Sequence, residues 1–356
     1  MRTRRAGVSA LIAVAAAFSA EAAQRSFVST TGLDANACTL AAPCRSFGTA
    51  LTHTDVGGEI IVLDSGAYGR VTITQSVTIE APAGVYAGIS VFASTNGIDV
   101  NAPGATVTLR GLSITGVGGN VGIYISSVDA LRIDRCRISG MGAQGILIVA
   151  GSVAITHAYI NDNGHDGIWA NGLVDVLVRD TVSVRNLSGS AYFNGARAEV
   201  RDSSFTSNAF YGVYASGGPV ATPTRVYLDN IEASNNVYRG VQLDGLASSF
   251  ATLTLTRSRV LGSTYNNIVV FGGSGPATLT VSDSTVSNGG VGYPAIAADG
   301  AGARIVVSGN RVVDNASLGL YQTNGAVFES RGDNTVRNNN GGGIQSFGTI
   351  TTFGGM

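Results

Sequence analysis

The chain has 356 residues, of which 44% are hydrophobic and 13% charged, with 49 Gly and a formal net charge of −1. That apolar content supplies a sizeable core and excludes a disordered chain, and so few charges exclude a long charged coiled coil. Every basic residue is Arg, and with the charges nearly balanced no basic patch marks a nucleic-acid binder.

At the N-terminus Arg2, Arg4 and Arg5 precede an apolar run from Ala6 to Ala20, and Ala20-Glu21-Ala22 offers a small-x-small cleavage site. Residues 1–23 therefore read as a secretory signal peptide and not as a membrane span, which predicts an exported protein, periplasmic or extracellular. The Arg4-Arg5 pair hints at twin-arginine export, but the following Ala-Gly-Val lacks the usual bulky residues. Export makes Cys38 and Cys44 readable: they enclose a short polar loop that a disulfide would close, with a reduced pair as the alternative.

Residues 24–56 are expected to form an N-terminal cap. Within it Ser46 reads as the N-cap of a short helix to Thr52, whose Phe47, Ala50 and Leu51 would plug one end of a solenoid. Gly57-Gly58 then opens a strand over Glu59–Leu63, followed by an Asp64-Ser65-Gly66 turn and β-rich runs at Val71–Thr74 and Val77–Glu80.

From Gly97 a register repeats, with starts at Gly97, Gly122, Gly145, Gly167, Ser190, Gly212, Gly240, Asn267, Ala295, Gly319 and Gly343. Steps of this size with strand-type alternation inside each unit predict a β-solenoid. Each unit has a start strand such as Gly122-Ile123-Tyr124-Ile125, a second run such as Leu131-Arg132-Ile133, and a short third strand marked by Ile114, Ile138, Ile160 or Phe205. Three strands per coil predict three parallel sheets, in about 11–12 coils over residues 57–348, with 349–356 left as a tail. Phe347, Ile350 and Phe353 would cover the far end, and a monomer is expected.

Two columns are read as structural. Asn163, Asn186, Asn208, Asn236, Asn315 and Asn339 each lie four residues before a start, so their amides would stack and hydrogen-bond along the axis. Cys136 falls in an inward column with Leu112, Ala158, Ser203, Ile231, Ser258, Ser284 and Asn310, which predicts a buried thiol and not a nucleophile.

The register from about residue 57 to 350 resembles the right-handed parallel β-helix proteins of the pectate-lyase-like superfamily. Pro43-Cys44-Arg45-Ser46-Phe47, Ala50-Leu51, Gly57-Gly58-Glu59-Ile60-Ile61-Val62 and Gly66-Ala67-Tyr68 look like that group's capping helix and first-coil turn. The resemblance implies an all-β, right-handed parallel β-helix. It implies no single activity, because the scaffold carries lyases, hydrolases, esterases, epimerases and inert adhesins. The Asn-Thr-Asp, Asp-Asp, Gly-His-Gly and Arg-Ile-Lys patterns of polygalacturonase-like enzymes do not occur, and without Lys the base used by several β-helix lyases is missing.

A glycan surface is the remaining reading. Two residues after successive starts stand Tyr124, Leu147, Trp169, Tyr192 and Tyr214, with Phe210, Tyr211, Tyr238, Tyr265 and Tyr293 at the preceding turns. Such a stripe suits sugar rings, although strands favour aromatic residues anyway. The turn Asn161-Asp162-Asn163-Gly164-His165-Asp166-Gly167 runs into Trp169 and makes Asp162, His165 and Asp166 the candidates for acid–base chemistry. No cofactor is required and the metal is undetermined; if any coil carries Ca²⁺ it is this one, although its spacing matches neither an EF-hand nor a Gly-rich Ca²⁺ nonapeptide. Arg179 and Arg201 would fork the carboxylates of an acidic polysaccharide only if Asp180 and Asp202 point away; mutual ion pairing is the plainer reading. Three functions compete: a secreted polysaccharide binder or processor (a lyase or hydrolase if an enzyme), a non-catalytic adhesive solenoid, and a metal-dependent polysaccharide lyase with an Arg base.

Overall fold

The structure is a computed structural model that describes residues 23–218, 222–246 and 249–354. Of the expected leader, residues 1–23, all but Ala23 lie outside the described residues.

The chain winds as a parallel β-solenoid with three faces. First-face strands include Ile146–Ile148, Ile168–Asn171, Ser190–Phe193, Tyr211–Ser216 and Arg239–Gly245; second-face strands include Ser152–Thr156, Asp175–Arg179, Arg197–Arg201, Thr224–Asp229 and Ala251–Thr256. Long strands Ile98–Arg110 and Ile123–Asp134 turn the corner without a break and join these two faces into one 24-stranded sheet. The third face is a separate sheet of 12 strands. Alternation follows from the pleat: Ile146 and Ile148 on the first face and Val153 and Ile155 on the second point inward and are buried, as their counterparts in neighbouring coils are.

The corners explain the small start residue. A Cβ on Gly145 would lie 2.7 Å from the carbonyl oxygen of Gly167 and 2.7 Å from Cγ2 of Ile160, so the coils could not close at their spacing. Between the second and third faces the chain turns through one left-handed residue: Arg135, His157, Asp180, Asp202, Asn230, Arg257 and Asp283 all have φ between 48° and 52°. Non-Gly residues seldom adopt this conformation, and its recurrence shows the solenoid imposing it on residues as unsuited as Arg.

The Asn column forms its ladder. Asn163 Nδ2 donates to Asn186 Oδ1 (2.8 Å), Asn208 Nδ2 to Asn236 Oδ1 (3.0 Å), and Asn315 Nδ2 to Asn339 Oδ1 (2.8 Å), while each amide oxygen also accepts a backbone N–H from the coil before. Where the column lapses for two coils, at Ser263 and Gly289, Asn267 reaches over from a start position to donate to Asn315 Oδ1 (3.1 Å). Cys136 is buried in its column, and burial pushes its thiol up to about 12, which removes it as a nucleophile.

Two starts differ from the sequence expectation. Ser190 pairs with Ile168, so the true start is Gly189, whose Cβ would sit 2.5 Å from Gly212 O. The turn after Asn186 is one residue shorter than its neighbours, and because strand side chains alternate, that single step moves Tyr192 from the outer side to the inner one. In the last coil Ser346 pairs with Leu320, which makes Gln345 the start in place of Gly343; its amide oxygen accepts from Asn339 Nδ2 at 3.1 Å and ends the ladder.

At the N-terminal end Ala23–Val28 pairs in parallel with Thr54–Val62, and the helix Phe47–Thr52 lays Phe47, Ala50 and Leu51 over the core. Ser46 caps it, its Oγ accepting from Thr49 N–H. Cys38 and Cys44 form a disulfide with Cα atoms 4.6 Å apart. At the far end Ile350 packs on the core, whereas Phe347 and Phe353 stay exposed; Phe347 pairs with Tyr321 in the outward column and stacks on its ring at 5.4 Å. Among the described residues no helix is long and apolar enough to cross a membrane.

Candidate functional site

The outer side of the first face carries a continuous belt of rings. Trp169 meets Phe193 edge-on at 5.9 Å, Phe193 meets Tyr214 at 5.3 Å, and Tyr214 stacks on Tyr211 at 4.8 Å. Tyr211 contacts Phe210 (5.9 Å) and Tyr238 (5.6 Å), and the belt continues through Tyr265 (4.6 Å from Tyr238) to Tyr293 (4.3 Å further). His165 stands in the turn column of this belt: Leu187 N–H donates to His165 O, Phe210 N–H to Leu187 O, and Tyr238 N–H to Phe210 O, while His165 N–H donates to Ala143 O.

Tyr192 is not part of it. The ring is fully buried, with Ala170 and Ala215 opposite it in the adjoining strands leaving the space it fills. Phe193, which the shifted register turns outward, bridges Trp169 and Tyr214 in its place. Tyr124 stands in the outward column but Leu147 separates it from Trp169, so it lies outside the chain of touching rings.

Beside Tyr214 lies a polar group that the sequence reading missed. Tyr214 Oη donates to Asp244 Oδ2 at 2.8 Å, and Gln242 Nε2 donates to both oxygens of the same carboxylate (2.8 and 3.0 Å). Arg239 Nη1 in turn donates to Gln242 Oε1 at 2.5 Å. The Arg239 guanidinium lies 4.2 Å over the Tyr238 ring and 4.9 Å over Phe271. Arg239 and Gln242 are buried although they sit on the outer side of the sheet, because rings from neighbouring coils cover them. Burial pushes the Asp244 carboxyl above its usual range against the pull of Tyr214, Gln242 and Arg239, and it pushes the Tyr214 and Tyr211 phenols up as well. Two donors here are buried without a partner: Arg239 Nε and Trp169 Nε1. The signal that was available is the outward alternation of Gln242 and Asp244; what hid it is that Arg239 precedes the start at Gly240 and falls outside the column counted two residues after each start.

The dense turn before Trp169 divides. Asp162 is taken by Arg185, whose Nε and Nη2 both donate at 2.7 Å, and this pairing holds its carboxyl below the usual range. His165 Nδ1 lies 3.4 Å from Asp166 Oδ2, with the ring half-exposed and the carboxylate nearly buried. Among the described residues no three His, Cys, Asp or Glu side chains converge to hold a metal ion.

Arg179 and Arg201 lie at the ends of second-face strands, away from the ring belt. Arg179 Nε is 3.4 Å from Asp180 and 3.7 Å from Asp202, and Arg201 Nε is 2.5 Å from Glu199. The condition that would free Arg179 for a ligand is therefore not met, since both Asp residues turn toward it.

Residues 60–222 match the family model described as right handed beta helix region. The fold is the right-handed parallel β-helix. Solved structures similar to this β-helix include the A-module of mannuronan C-5 epimerase AlgE4 from Azotobacter vinelandii, 16% identical with a TM-score of 0.65, covering 84% of this chain and 90% of that one. The Dettilon tailspike protein is 13% identical (TM-score 0.62; 91% and 68% covered), and pectate lyase Pel9A is 15% identical (TM-score 0.50; 88% and 79% covered). At such identities the likeness is one of fold. No curated protein sequence matches the chain.

Proposed function

We propose that this β-helix is an exported protein that binds a polysaccharide along the first-face belt from Trp169 to Tyr293. The observation that carries the reading is the unbroken contact of eight rings along the solenoid axis, joined to a cluster of Arg239, Gln242 and Asp244. Ring faces offer apolar surface to the C–H faces of sugars, and a few fixed polar groups select among hydroxyls. Mannuronan epimerase and pectate lyase, named for polysaccharides, share the scaffold. The disulfide in the cap fits an oxidising compartment.

Processing of the bound chain, as a lyase or a hydrolase, has its best seat at His165 and Asp166, because His165 stands in the turn column that Phe210, Tyr238 and Tyr265 continue. Asp162, held by Arg185, is the poorer candidate. The test uses residues 24–356: glycan-array binding and product assays, with and without Ca²⁺, beside the variant Trp169→Ala/Tyr214→Ala. Binding lost in a folded variant supports the belt. Binding by neither protein favours a non-catalytic adhesive solenoid, and turnover abolished by chelation favours the metal-dependent lyase.

A further inference from the structure

Beyond the polar cluster the turn column of the belt consists of Tyr alone, one ring per coil, at Tyr238, Tyr265 and Tyr293. The last pair is the tightest ring contact in the belt. The Tyr265 and Tyr293 centroids lie 4.3 Å apart with their planes tilted by 40°, inside the range of about 4.5–7 Å that unbonded aromatic pairs prefer. Hydrogen bonds between the turns hold them there: Tyr265 N–H donates to Tyr238 O at 3.0 Å, and Asn266 Nδ2 donates to Pro294 O at 2.7 Å.

Both phenols are open to chemistry. Tyr293 is 39% exposed and Tyr265 half-buried, and neither hydroxyl has a hydrogen-bond partner among the described residues. The other tyrosines of the belt are less suited to losing an electron. The Arg239 guanidinium lies 4.2 Å over the Tyr238 ring, and a positive charge so close opposes oxidation of that ring. Tyr211 and Tyr214 stack at a wider 4.8 Å, and Tyr214 Oη is bound to Asp244. No cation lies over Tyr265 or Tyr293 among the described residues.

We propose that Tyr265 and Tyr293 form an oxidative modification site, at which a peroxidase and hydrogen peroxide join the two rings as a dityrosine. Each phenol gives up one electron and its hydroxyl proton. The two radicals couple through the ring carbons beside the hydroxyls, and the hydrogens on those carbons pass through water to restore both hydroxyls. One C–C bond forms and the protein loses two hydrogens in all; hydrogen peroxide takes up the two electrons and two protons and leaves as two waters. The product staples two successive coils and removes freedom from the unfolded chain, as a disulfide does. It needs no glycan, so it stands whether or not the belt binds one.

The test treats residues 24–356, at low protein concentration, with a peroxidase and hydrogen peroxide, and reads dityrosine fluorescence, peptide masses and Tm. Cleavage after Arg releases Val260–Arg304 as one peptide that carries both tyrosines. In the treated protein it should weigh two hydrogens less, and further cleavage before Asp283 and Asp299 should leave Val260–Ser282 joined to Asp283–Ala298. Tyr293→Phe and Tyr265→Phe, which keep the ring and remove the hydroxyl, should each abolish the joined peptide, whereas Tyr86→Phe, an exposed ring outside the belt, should leave it unchanged. Treatment should raise the Tm of the wild type and not that of Tyr293→Phe. No joined peptide in the wild type, undiminished fluorescence in Tyr293→Phe, cross-links found only between molecules, or a product mainly at Tyr211 and Tyr214 would each overturn the proposal.

Discussion

The first and second faces are built alike on the inside and differently on the outside. Ile168 and Val178, or Val213 and Leu228, fill the same interior at the same repeat, and both faces stack in unbroken parallel register. Outside, the first face covers its polar residues with rings until Arg239 and Gln242 are buried, whereas the second leaves Arg197 and Arg225 bare to solvent. The difference arises where side chains leave the pleat and not in the backbone. A solenoid's inner columns maintain the coil, and its outer columns are free to specialise face by face.

Substitutions can break this comparison, the largest effect falling on the interior. Tyr192→Ala empties a fully buried ring site and should cost about 3–5 kcal/mol, read as a lower denaturant midpoint, while Tyr214→Ala, on the outer side of the adjoining strand, should cost clearly less. If the two variants were equally destabilised, the assignment of Tyr192 to the inner side would be wrong. Next comes the ladder. Asn208→Ala leaves the backbone N–H of Asn186 without its acceptor and removes one of the two donors to Asn236 Oδ1, the backbone N–H of residue 208 remaining; the orphaned N–H costs about 1–3 kcal/mol, and hydrogen exchange should speed up at Asn186 before it does in distant coils.

A smaller effect tests the covered polar group. Asp244 has its carboxyl pushed up by burial, so folding takes up protons there, and ionisation penalises the fold once pH rises through the folded value. Asp244→Asn should therefore melt no lower than the wild type at pH 7, with any advantage shrinking as pH falls toward the unfolded carboxylate value of 3.8. A lower Tm at pH 7 would mean that the hydrogen bonds from Tyr214 and Gln242 outweigh burial. The smallest change belongs to the exposed turn: Arg185→Ala frees Asp162 but should leave the Tm unmoved, since exposed pairs contribute little. A resolvable drop would show the turn before Trp169 to be braced by that pair.

Much of the fold was legible because a β-helix writes each of its contacts many times. The inward aliphatic columns, the Asn ladder, the buried Cys136, the Ser46-capped helix and the Cys38–Cys44 loop are all short-range or strictly periodic features. The misreadings share one cause. Spacing from Asn186 by the rule of its neighbours placed the start at Ser190, and the real turn is one residue shorter. A period of two turns that single error into a swap of Tyr192 for Phe193. At the last coil Gln345, not Gly343, supplies the amide that ends the ladder, a long-range need with no local mark. The outer site was less legible still. Arg239, Gln242 and Asp244 are near in sequence, but their burial depends on Tyr238, Tyr214 and Phe271 from three different coils.

By itself the sequence determined a parallel solenoid of three-stranded coils, because alternation, small corner residues and repeated amides leave few other ways to bury 44% hydrophobic residues in so Gly-rich a chain. Only the tertiary structure decided which rings touch, which carboxylates are already taken by arginines, and which arginines are left without partners. Those outcomes depend on stacking between coils more than 20 residues apart, where a single residue added to or lost from a turn changes the face on which a side chain emerges.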